Sequence, residues 1–468
     1  MSSLRPGDPP RQDPPRQHLA RAPGAIPGPS ARHRLLGHQP EYVADPLGTF
    51  QRWSTEYGDA VRLRFGPVRV LLLTSPEAVE DVLVRRADAF QKAPVIRRAA
   101  RSAIGDAVFA AEGEAWARQR ALFEPFFSPE RMAAHVPTIV TEVTETLSRW
   151  RPGATIETLA DTMRLSQRIG GRVIFGAVVG EEDVERVADA LAVTDADFQA
   201  RIDSLALYLQ PDWLPTPRAF RRRRAVATLH ELVDGLIAAR RRRARPEPDL
   251  LGELLQRQPD LPWLTDRLLR DDLVTLLVDS RENPGILLTW ALYLLARDPE
   301  VAVTAAAEVD GVLGARAPTA ADIQRLPRVA DVLRETLRLC PPVYGTGRQA
   351  VRDCTVAGIE VPRGTVILLS LSVMHRDAGR FPDPDTFRPD RWREPPIEPV
   401  PPGAFVPFGL GARRCLGEHL AWTIGVLGLA MLLREYRFTP ADPRPVPPTI
   451  RLSQRPSREV LLLVEPRR

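Results

Sequence analysis

Apolar residues recur at helical spacing through most of the chain. Between residues 116 and 339 the spacing is that of amphipathic helices, with proline-rich breaks at 211–217, 246–248 and 259–262. Shorter apolar runs at 61–65 and 354–371 are typical of strands instead. The pattern therefore predicts a long helical body with a smaller strand-rich part.

Two short apolar runs, 61–65 and 69–73, flank Gly66-Pro67 and predict a β-hairpin, while Ser75 followed by Pro76 predicts a helix start. The predicted fold class is mainly α with a small β lobe (α+β), and we place the lobe near residues 55–75 and 350–372. The first residues are rich in proline, arginine and glycine. We therefore predict a disordered tail at 1–30 and a single domain over 31–468.

Composition narrows the class of protein. Hydrophobic residues make up 44% of the sequence, as in globular proteins, and no apolar run is long enough to cross a bilayer. The start lacks the apolar core of a secretory signal and there are 3 cysteines, so we expect a cytoplasmic, monomeric protein without disulfides or membrane contact. The net charge of +5 accompanies no nucleic-acid motif, so we expect no nucleic-acid partner. Lys92 is the only lysine, and we predict no role for it.

One cysteine lies in a glycine-rich loop before an apolar helix. Residues 408–417 read FGLGARRCLG and precede the helix-forming run 420–433. Free amide groups and the positive end of the helix dipole are expected to lower the pKa of the Cys415 thiol, and the thiolate is the form that binds a metal. Taken alone, a buried structural cysteine is the alternative.

This segment resembles the haem-binding signature of the cytochrome P450 family, Phe-x-x-Gly-x-x-x-Cys-x-Gly, at every fixed position. The resemblance implies the P450 fold, a triangular, helix-rich body around a buried haem b, so that the domain over 31–468 is catalytic. It implies that Cys415 is the metal ligand, with Phe408 and Gly409 in the loop around the sulfur. It also places Arg413 against a haem propionate.

Further motifs of the chain resemble P450 motifs and occur in the same order and at similar spacing. Glu335 and Arg338 form Glu-x-x-Arg, and Arg391 lies in a segment that resembles the family's meander. The resemblance implies that these three residues form a buried structural network rather than a catalytic one. Three further residues are implied to bind the haem propionates: Trp116, Arg120 and Arg348.

Residues 271–298 fit the long central helix that the family places over the haem, but their middle departs from the family pattern. Glu282 keeps the usual acid, Asp279 stands where a small residue is usual, and Asn283 and Pro284 replace two alcohols. An amide cannot deliver an acidic proton as a hydroxyl does, and a proline is expected to kink the helix. We treat Asp279, Glu282 and Asn283 as candidate catalytic residues.

The resemblance implies a monooxygenase that oxidises a mainly apolar small molecule or natural-product intermediate. It takes electrons from a separate ferredoxin, with its reductase, or from a flavodoxin-type donor. In the family, one of the replaced alcohols delivers protons to bound oxygen, and Asn283 stands in its place. A peroxygenase, or a redox-neutral isomerase, dehydratase or cyclase, is therefore an alternative. A non-catalytic accessory protein is a third class, and the retained Cys415 argues against it. Family topology indicates a substrate pocket formed by Val343, Thr346, Pro284 and Ile286.

Overall fold

The computed structural model describes residues 26–176, 181–242, 249–393, 400–401 and 403–467. Helices dominate it and the strands form small sheets, so the predicted fold class is confirmed. Within these ranges, no helix is both long and apolar enough to span a membrane.

Residues 1–25 of the predicted tail lie outside the described residues, and its predicted end at residue 30 is wrong. Ile26 is 2% exposed, and the carbonyl of Pro27 accepts a hydrogen bond of 2.9 Å from the backbone N–H of Arg62. The carbonyl of Pro29 likewise contacts a ring nitrogen of His38 at 3.0 Å. Residues 26–30 therefore pack against the first strand, because Ile26 supplies an apolar anchor within a polar stretch.

The helices, in chain order, are α1 (Gln39–Ala44), α2 (Pro46–Tyr57), α3 (Pro76–Glu80), α4 (Pro94–Ile104), α5 (Gly113–Phe123), α6 (Pro129–Ala134), α7 (Val136–Arg149), α8 (Thr158–Phe175), α9 (Glu181–Asp203), α10 (Leu205–Leu209), α11 (Pro217–Arg241), α12 (Leu250–Arg257), α13 (Asp266–Arg297), α14 (Pro299–Leu313), α15 (Pro327–Leu339), α16 (Leu371–Met374) and α17 (Glu418–Glu435). As predicted, α3 begins with Pro76, and the Ser75 hydroxyl accepts a hydrogen bond from the backbone N–H of Ala78.

The strands are β1 (Ala60–Phe65), β2 (Val68–Leu73), β3 (Phe90–Lys92), β4 (Thr155–Glu157), β5 (Gly345–Ala350), β6 (Cys354–Val356), β7 (Ile359–Val361), β8 (Val366–Ser370), β9 (Tyr436–Pro440), β10 (Pro448–Ile450), β11 (Gln454–Pro456) and β12 (Leu461–Pro466). The largest sheet has the order β1-β2-β8-β5-β3, in which β2 and β8 run parallel. The antiparallel pair β1–β2 is the predicted hairpin. This sheet brings residues near 60–73 and 345–370 into one lobe.

Helix α13 is the central helix of the body and crosses α8 at very short range. A Cβ on Gly170 of α8 would lie 2.1 Å from the Oγ of Ser280, and a Cβ on Gly285 would lie 2.9 Å from the Cα of Met163. The helix begins at Asp266, earlier than predicted, and continues past Pro284 without ending. The face of α13 that carries Ser280 and Gly285 therefore packs against α8. A binding site on this helix is expected on the opposite face.

Candidate active site

The loop before α17 holds Cys415 in a tight turn. The backbone N–H of Cys415 donates to the carbonyl of Phe408 at 2.8 Å, which closes the loop. Gly409 and Gly411 have φ values of +74° and +70°, in the left-handed region that favours glycine. A Cβ on Gly411 would also lie 2.2 Å from the carbonyl oxygen of Leu83. Glycine is therefore needed at Gly411 both for its backbone angle and for packing.

The surroundings of the Cys415 thiol raise its pKa. Burial raises the pKa to about 11 and the negative charge of Asp279 adds to the effect, whereas a hydrogen bond from the backbone N–H of Gly417 lowers it. The expectation that the helix N-terminus lowers the pKa of this thiol is therefore wrong, because desolvation outweighs the amide dipoles. Formation of the thiolate here depends on a cation taking the place of the proton.

Asp279 and Cys415 border one internal space from two sides. Both residues have ample accessible surface. Both are nevertheless enclosed by protein, because burial is the largest cause of the raised pKa of each, about 7 for Asp279 and about 11 for Cys415. An enclosed residue keeps accessible surface only where it borders a cavity, and the carboxylate of Asp279 acts on the sulfur across it. Asp279 and Cys415 therefore lie close enough for the charge of one to affect the other.

Cationic side chains line the edge of this space. Arg413 lies over the ring of Trp116, 4.2 Å from its centroid, and forms an ion pair with Glu112. Arg348 is 8% exposed and donates to the hydroxyl of Thr346 at 2.8 Å. Burial, followed by repulsion from Arg413, lowers the pKa of Arg348 to about 10. The two arginines, predicted from separate motifs of the chain, therefore lie close enough to interact.

Lys92, for which the sequence predicted no role, lies beside Arg348 and Arg413. Lys92 pairs with Arg348 between β3 and β5. Its ammonium group lies 3.6 Å from the ring centroid of Phe109 and donates to the carbonyl of that residue. Burial lowers the pKa of Lys92 to about 7, and repulsion from Arg413 and Arg348 contributes to the lowering. The one feature of the sequence that could have indicated this role is that Lys92 is the only lysine in an arginine-rich chain.

Arg120 follows Trp116 by one turn of α5. Its guanidinium donates to the carbonyl of Arg414 at 2.7 Å and pairs with Glu124 at 3.1 Å. Its Nε is buried and has no hydrogen-bond partner in the part of the chain that the structure describes. One N–H of Arg120 is therefore left for a ligand, and the predicted propionate role stays a prediction.

The predicted structural network is assembled around Glu335. Its carboxylate accepts from Arg338 at 2.8 Å and from Arg391 at 3.0 Å, and all three residues are at most 2% exposed. Trp392 donates to the same carboxylate at 2.9 Å, and the backbone N–H of Arg388 donates at 3.0 Å. One buried carboxylate thus joins α15 to the segment around residue 391.

These features agree with the comparison to known proteins, in which the model of the cytochrome P450 family matches residues 27–463. The chain belongs to the cytochrome P450 family. Among its relatives, cyclooctat-9-en-7-ol 5-monooxygenase of Streptomyces melanosporofaciens is 33% identical over 432 residues, 92% of this chain and 90% of that protein. Pentalenene oxygenase of Streptomyces avermitilis is 31% identical over 429 residues, 91% of this chain and 93% of that protein.

A solved structure supports the P450 fold. The crystal structure of cytochrome P450DA heme domain superposes with a TM-score of 0.84 at 24% identity, and the match covers 96% of this chain and 99% of that one. The family match and the relatives named as oxygenases make the protein an oxidoreductase of the haem-thiolate type.

The residues of this P450 fit its haem cofactor. Cys415 offers a thiolate on one side of the enclosed space. Beside it, the three cations Lys92, Arg348 and Arg413 interact with two carboxylates of the described residues, those of Glu112 and, for Lys92, Asp279. The cluster therefore carries excess positive charge, which the carboxylates of haem would neutralise through charge-assisted hydrogen bonds.

On the P450 central helix, Glu282 and Asn283 follow Asp279 by three and four residues, so each lies within one turn of it on the same side of α13. Glu282 is 6% exposed and accepts a hydrogen bond from the hydroxyl of Ser453, which lies next to β11. Asn283 is half-buried, and its amide has no hydrogen-bond partner among the residues described. The amide of Asn283 is therefore available to a ligand or a water molecule.

Two predicted pocket residues, Pro284 and Ile286, are buried, and their role in the substrate pocket stays a prediction. Pro284 is buried one helical turn after Ser280, on the face of α13 that packs against α8. Ile286 is 0% exposed and belongs to the main hydrophobic core. Ile286 follows Asp279 by seven residues, about two turns, and therefore lies on the same side of α13 as Asp279, whereas Pro284 lies toward α8.

The other two predicted pocket residues keep accessible surface. Val343 is 44% exposed, and Thr346 is half-buried beside Arg348. Their role in substrate binding stays a prediction.

Proposed function

We propose that this P450 is a haem b monooxygenase that oxidises a mainly apolar, terpene-derived small molecule. The observation that carries the proposal is the glycine-rich loop that holds Cys415, closed by its backbone hydrogen bond to Phe408, in a chain that matches the P450 family over residues 27–463. Relatives named as oxygenases of pentalenene and of cyclooctat-9-en-7-ol support the substrate class. When bound, the haem supplies cleavage of dioxygen and transfer of one oxygen atom to the substrate.

The residues that hold the haem divide into two groups. Cys415 binds the iron, and the turn formed by Phe408 and Gly409 shapes the loop around the sulfur. The propionates are bound at the cationic edge, where the residues are Arg413, Trp116, Arg348, Arg120 and Lys92.

Asp279 is the distal acid in this proposal. Burial, together with the charge of Glu282, raises its pKa to about 7, so near neutral pH it can both hold and release a proton. The free amide of Asn283 orients a water molecule beside it, a task that does not need the missing alcohol. Reduction of the second oxygen atom to water takes up two electrons and two protons, and Asp279 and Glu282 supply a route for those protons.

Electrons come from a separate ferredoxin, with its reductase, or from a flavodoxin-type protein. The cysteine loop, which would hold the haem, carries Arg414 with half of its side chain exposed, so a donor could dock there. A basic surface favours an acidic donor, and its contribution weakens as salt screens the charges.

A second reaction type is favoured by one observation, the replacement of the relay alcohol by Asn283. A site of this kind suits peroxide-driven oxidation, or a redox-neutral isomerisation, dehydration or cyclisation, in which dioxygen is not activated.

One experiment separates these reactions. The holoenzyme is incubated with pentalenene and related ring hydrocarbons in three arms: dioxygen with a ferredoxin system, hydrogen peroxide alone, and neither. Oxygenated product in the first arm alone supports the monooxygenase. Product in the arm without oxidant contradicts it, and product only with peroxide assigns the peroxygenase. A band at about 450 nm in the reduced carbon monoxide complex, absent in Cys415→Ala, tests the thiolate independently.

A further inference from the structure

His375 lies between the network around Glu335 and the cysteine loop. It follows α16 directly and is 0% exposed. Its Nε2 accepts a hydrogen bond of 3.2 Å from the backbone N–H of Val406, two residues before Phe408. Its backbone carbonyl accepts from the guanidinium of Arg338 at 3.0 Å. His375 therefore contacts both the network and the segment that leads into the cysteine loop.

The ring of His375 is held in its neutral form. Burial, followed by the positive charge of Arg338, lowers the pKa of the ring to about 3. The backbone carbonyl of Leu337 in α15 opposes this lowering through a weak contact, which falls short of ordinary hydrogen-bond geometry and leaves Nδ1 without a full partner among the residues described. A neutral imidazole has one N–H and one acceptor nitrogen. Since Nε2 accepts from Val406, the proton is on Nδ1.

The contact between His375 and Val406 is the first of three backbone contacts that lead to Cys415. The carbonyl of Val406 accepts from the backbone N–H of Gly409 at 3.0 Å, and the carbonyl of Phe408 accepts from that of Cys415 at 2.8 Å. Val406 is 4% exposed and packs in the hydrophobic core beside the largest sheet. The backbone at Val406 therefore sets where the cysteine loop begins.

Packing alone does not explain a histidine at this position. The ring centroid of His375 lies 5.2 Å from that of Phe405, which lies 4.5 Å from that of Trp392, so the surroundings suit an apolar ring. A buried Nδ1–H without a full partner costs about 1–3 kcal/mol, which phenylalanine would avoid. Phenylalanine would instead leave the buried N–H of Val406 unpaired. The acceptor atom Nε2 is therefore what distinguishes histidine from an apolar ring here.

We propose that His375 is a positioning residue for the haem ligand: its Nε2 fixes the backbone at Val406, and with it the start of the cysteine loop, so that Cys415 stays bound to the iron as a thiolate. His375 acts through the backbone of Val406 and Gly409. The inference rests on membership of the P450 family and not on the reaction proposed above. It is measured without substrate, so it stands or falls separately from the monooxygenase assignment.

Three substitutions separate the acceptor atom from the ring. In His375→Gln the side-chain oxygen reaches the position of Nε2, in His375→Asn it reaches only the position of Nδ1, and in His375→Phe the ring remains without an acceptor. His38→Phe is the matched control. His38 is also buried, at 4% exposed, and its Nδ1 accepts from the backbone N–H of Arg64 at 3.0 Å, but it lies beside β1 rather than the cysteine loop.

Two measurements on the holoenzyme test the proposal. The first is the rate at which the reduced carbon monoxide complex loses its band at about 450 nm, with each variant in guanidinium chloride at the same fraction of its own unfolding midpoint. The second is amide hydrogen exchange in residues 404–411.

We expect both rates to rise roughly tenfold in His375→Phe and His375→Asn, since each leaves a buried N–H unpaired. His375→Gln stays within about twofold of the wild type because it keeps the acceptor. His38→Phe lowers the unfolding midpoint but leaves both rates at the wild-type value.

Four results overturn the proposal. Wild-type rates in His375→Phe show that packing of the ring is sufficient to hold the loop. Faster exchange without faster loss of the band shows that thiolate ligation does not depend on this anchor. Rates in His375→Gln as high as in His375→Phe show that the acceptor atom is not the cause. An equal effect of His38→Phe shows a general loss of stability. If His375→Phe does not bind haem, the comparison of His375→Gln with His375→Asn decides the outcome.

Discussion

At the scale of single residues, the site holds charges that their surroundings disfavour. Burial lowers the pKa of Lys92 to about 7 and raises that of Asp279 to about 7 and that of Asp272 to about 8. Such groups cost stability, and they cluster where a ligand or a backbone contact requires them. The loss of folding stability that each buried charge causes therefore indicates that the charge is needed for a ligand or a backbone contact at the site.

Replacement of Asp272 by asparagine should stabilise the protein in a pH-dependent way. Because the folded-state pKa is raised, the contribution of Asp272 to stability is fully present below about pH 4 and is lost as pH rises to about 8. Asp272→Asn keeps an acceptor for the backbone N–H of Val108, which donates to Asp272 at 2.7 Å, and removes the titration. Since each pKa unit corresponds to about 1.4 kcal/mol, we expect a gain of several kcal/mol at pH 8 and little gain at pH 4. Denaturant unfolding at the two pH values measures it, and equal gains at both would contradict the assignment.

Loss of Lys92 should weaken the hold on haem. Lys92→Met removes one cation from the propionate edge while keeping the length of the side chain, and a charge-assisted hydrogen bond contributes about 1.5 kcal/mol or more. We expect roughly tenfold faster transfer of haem to apomyoglobin, restored in part by Lys92→Arg. Haem loss at the wild-type rate in Lys92→Met would show that Lys92 does not contribute to haem binding.

At the scale of elements, the contact between α8 and α13 decides which residues of the central helix face the haem. Ser280 and Gly285 pack on α8, so Pro284 between them also faces α8, and Asp279 points the other way. Motif spacing placed these residues on one helix correctly. It could not assign their directions, because the rotation of a helix depends on a partner that is distant in sequence.

A methyl group at this contact should be destabilising. At Gly285 a Cβ would lie 2.9 Å from the backbone of Met163, so we expect Gly285→Ala to lose about 2 kcal/mol despite the better helix propensity of alanine. Gly235→Ala in α11 is the control, since a Cβ there meets nothing within 4 Å. It should gain up to ~1 kcal/mol. Thermal unfolding of both variants gives the comparison, and shifts of the same sign would show that the crossing tolerates the methyl group.

At the scale of the whole molecule, the network of Glu335, Arg338 and Arg391 connects α15 to the segment that leads into the cysteine loop. Contiguous residues were sufficient to predict the cysteine loop and the β1–β2 hairpin, whereas the network was implied by the resemblance to the P450 family, because Arg391 is distant in sequence from Glu335 and Arg338. The contacts of Lys92 and His375 were not predictable in this way. They depend on chain segments that meet only in the folded protein.

Neutralising the central carboxylate should destabilise the entire fold. Glu335→Gln leaves two buried arginines without a counter-charge, which costs on the order of 3–5 kcal/mol. Asp183→Asn breaks an exposed pair with Arg186, also three residues apart on a helix, and should cost under about 1 kcal/mol. Urea unfolding of the two variants tests the difference, and a similar small cost for both would show that the network contributes little.

The position of the single lysine has a practical consequence for spectroscopy. Since Lys92 is the only lysine in 468 residues and lies beside Arg413 and Arg348, selective labelling with ¹⁵N-lysine places one isotopic probe in the whole chain. The chemical shift of that one backbone amide then reports haem loading in a protein too large for routine full assignment, and no competing lysine signal needs to be removed by mutation.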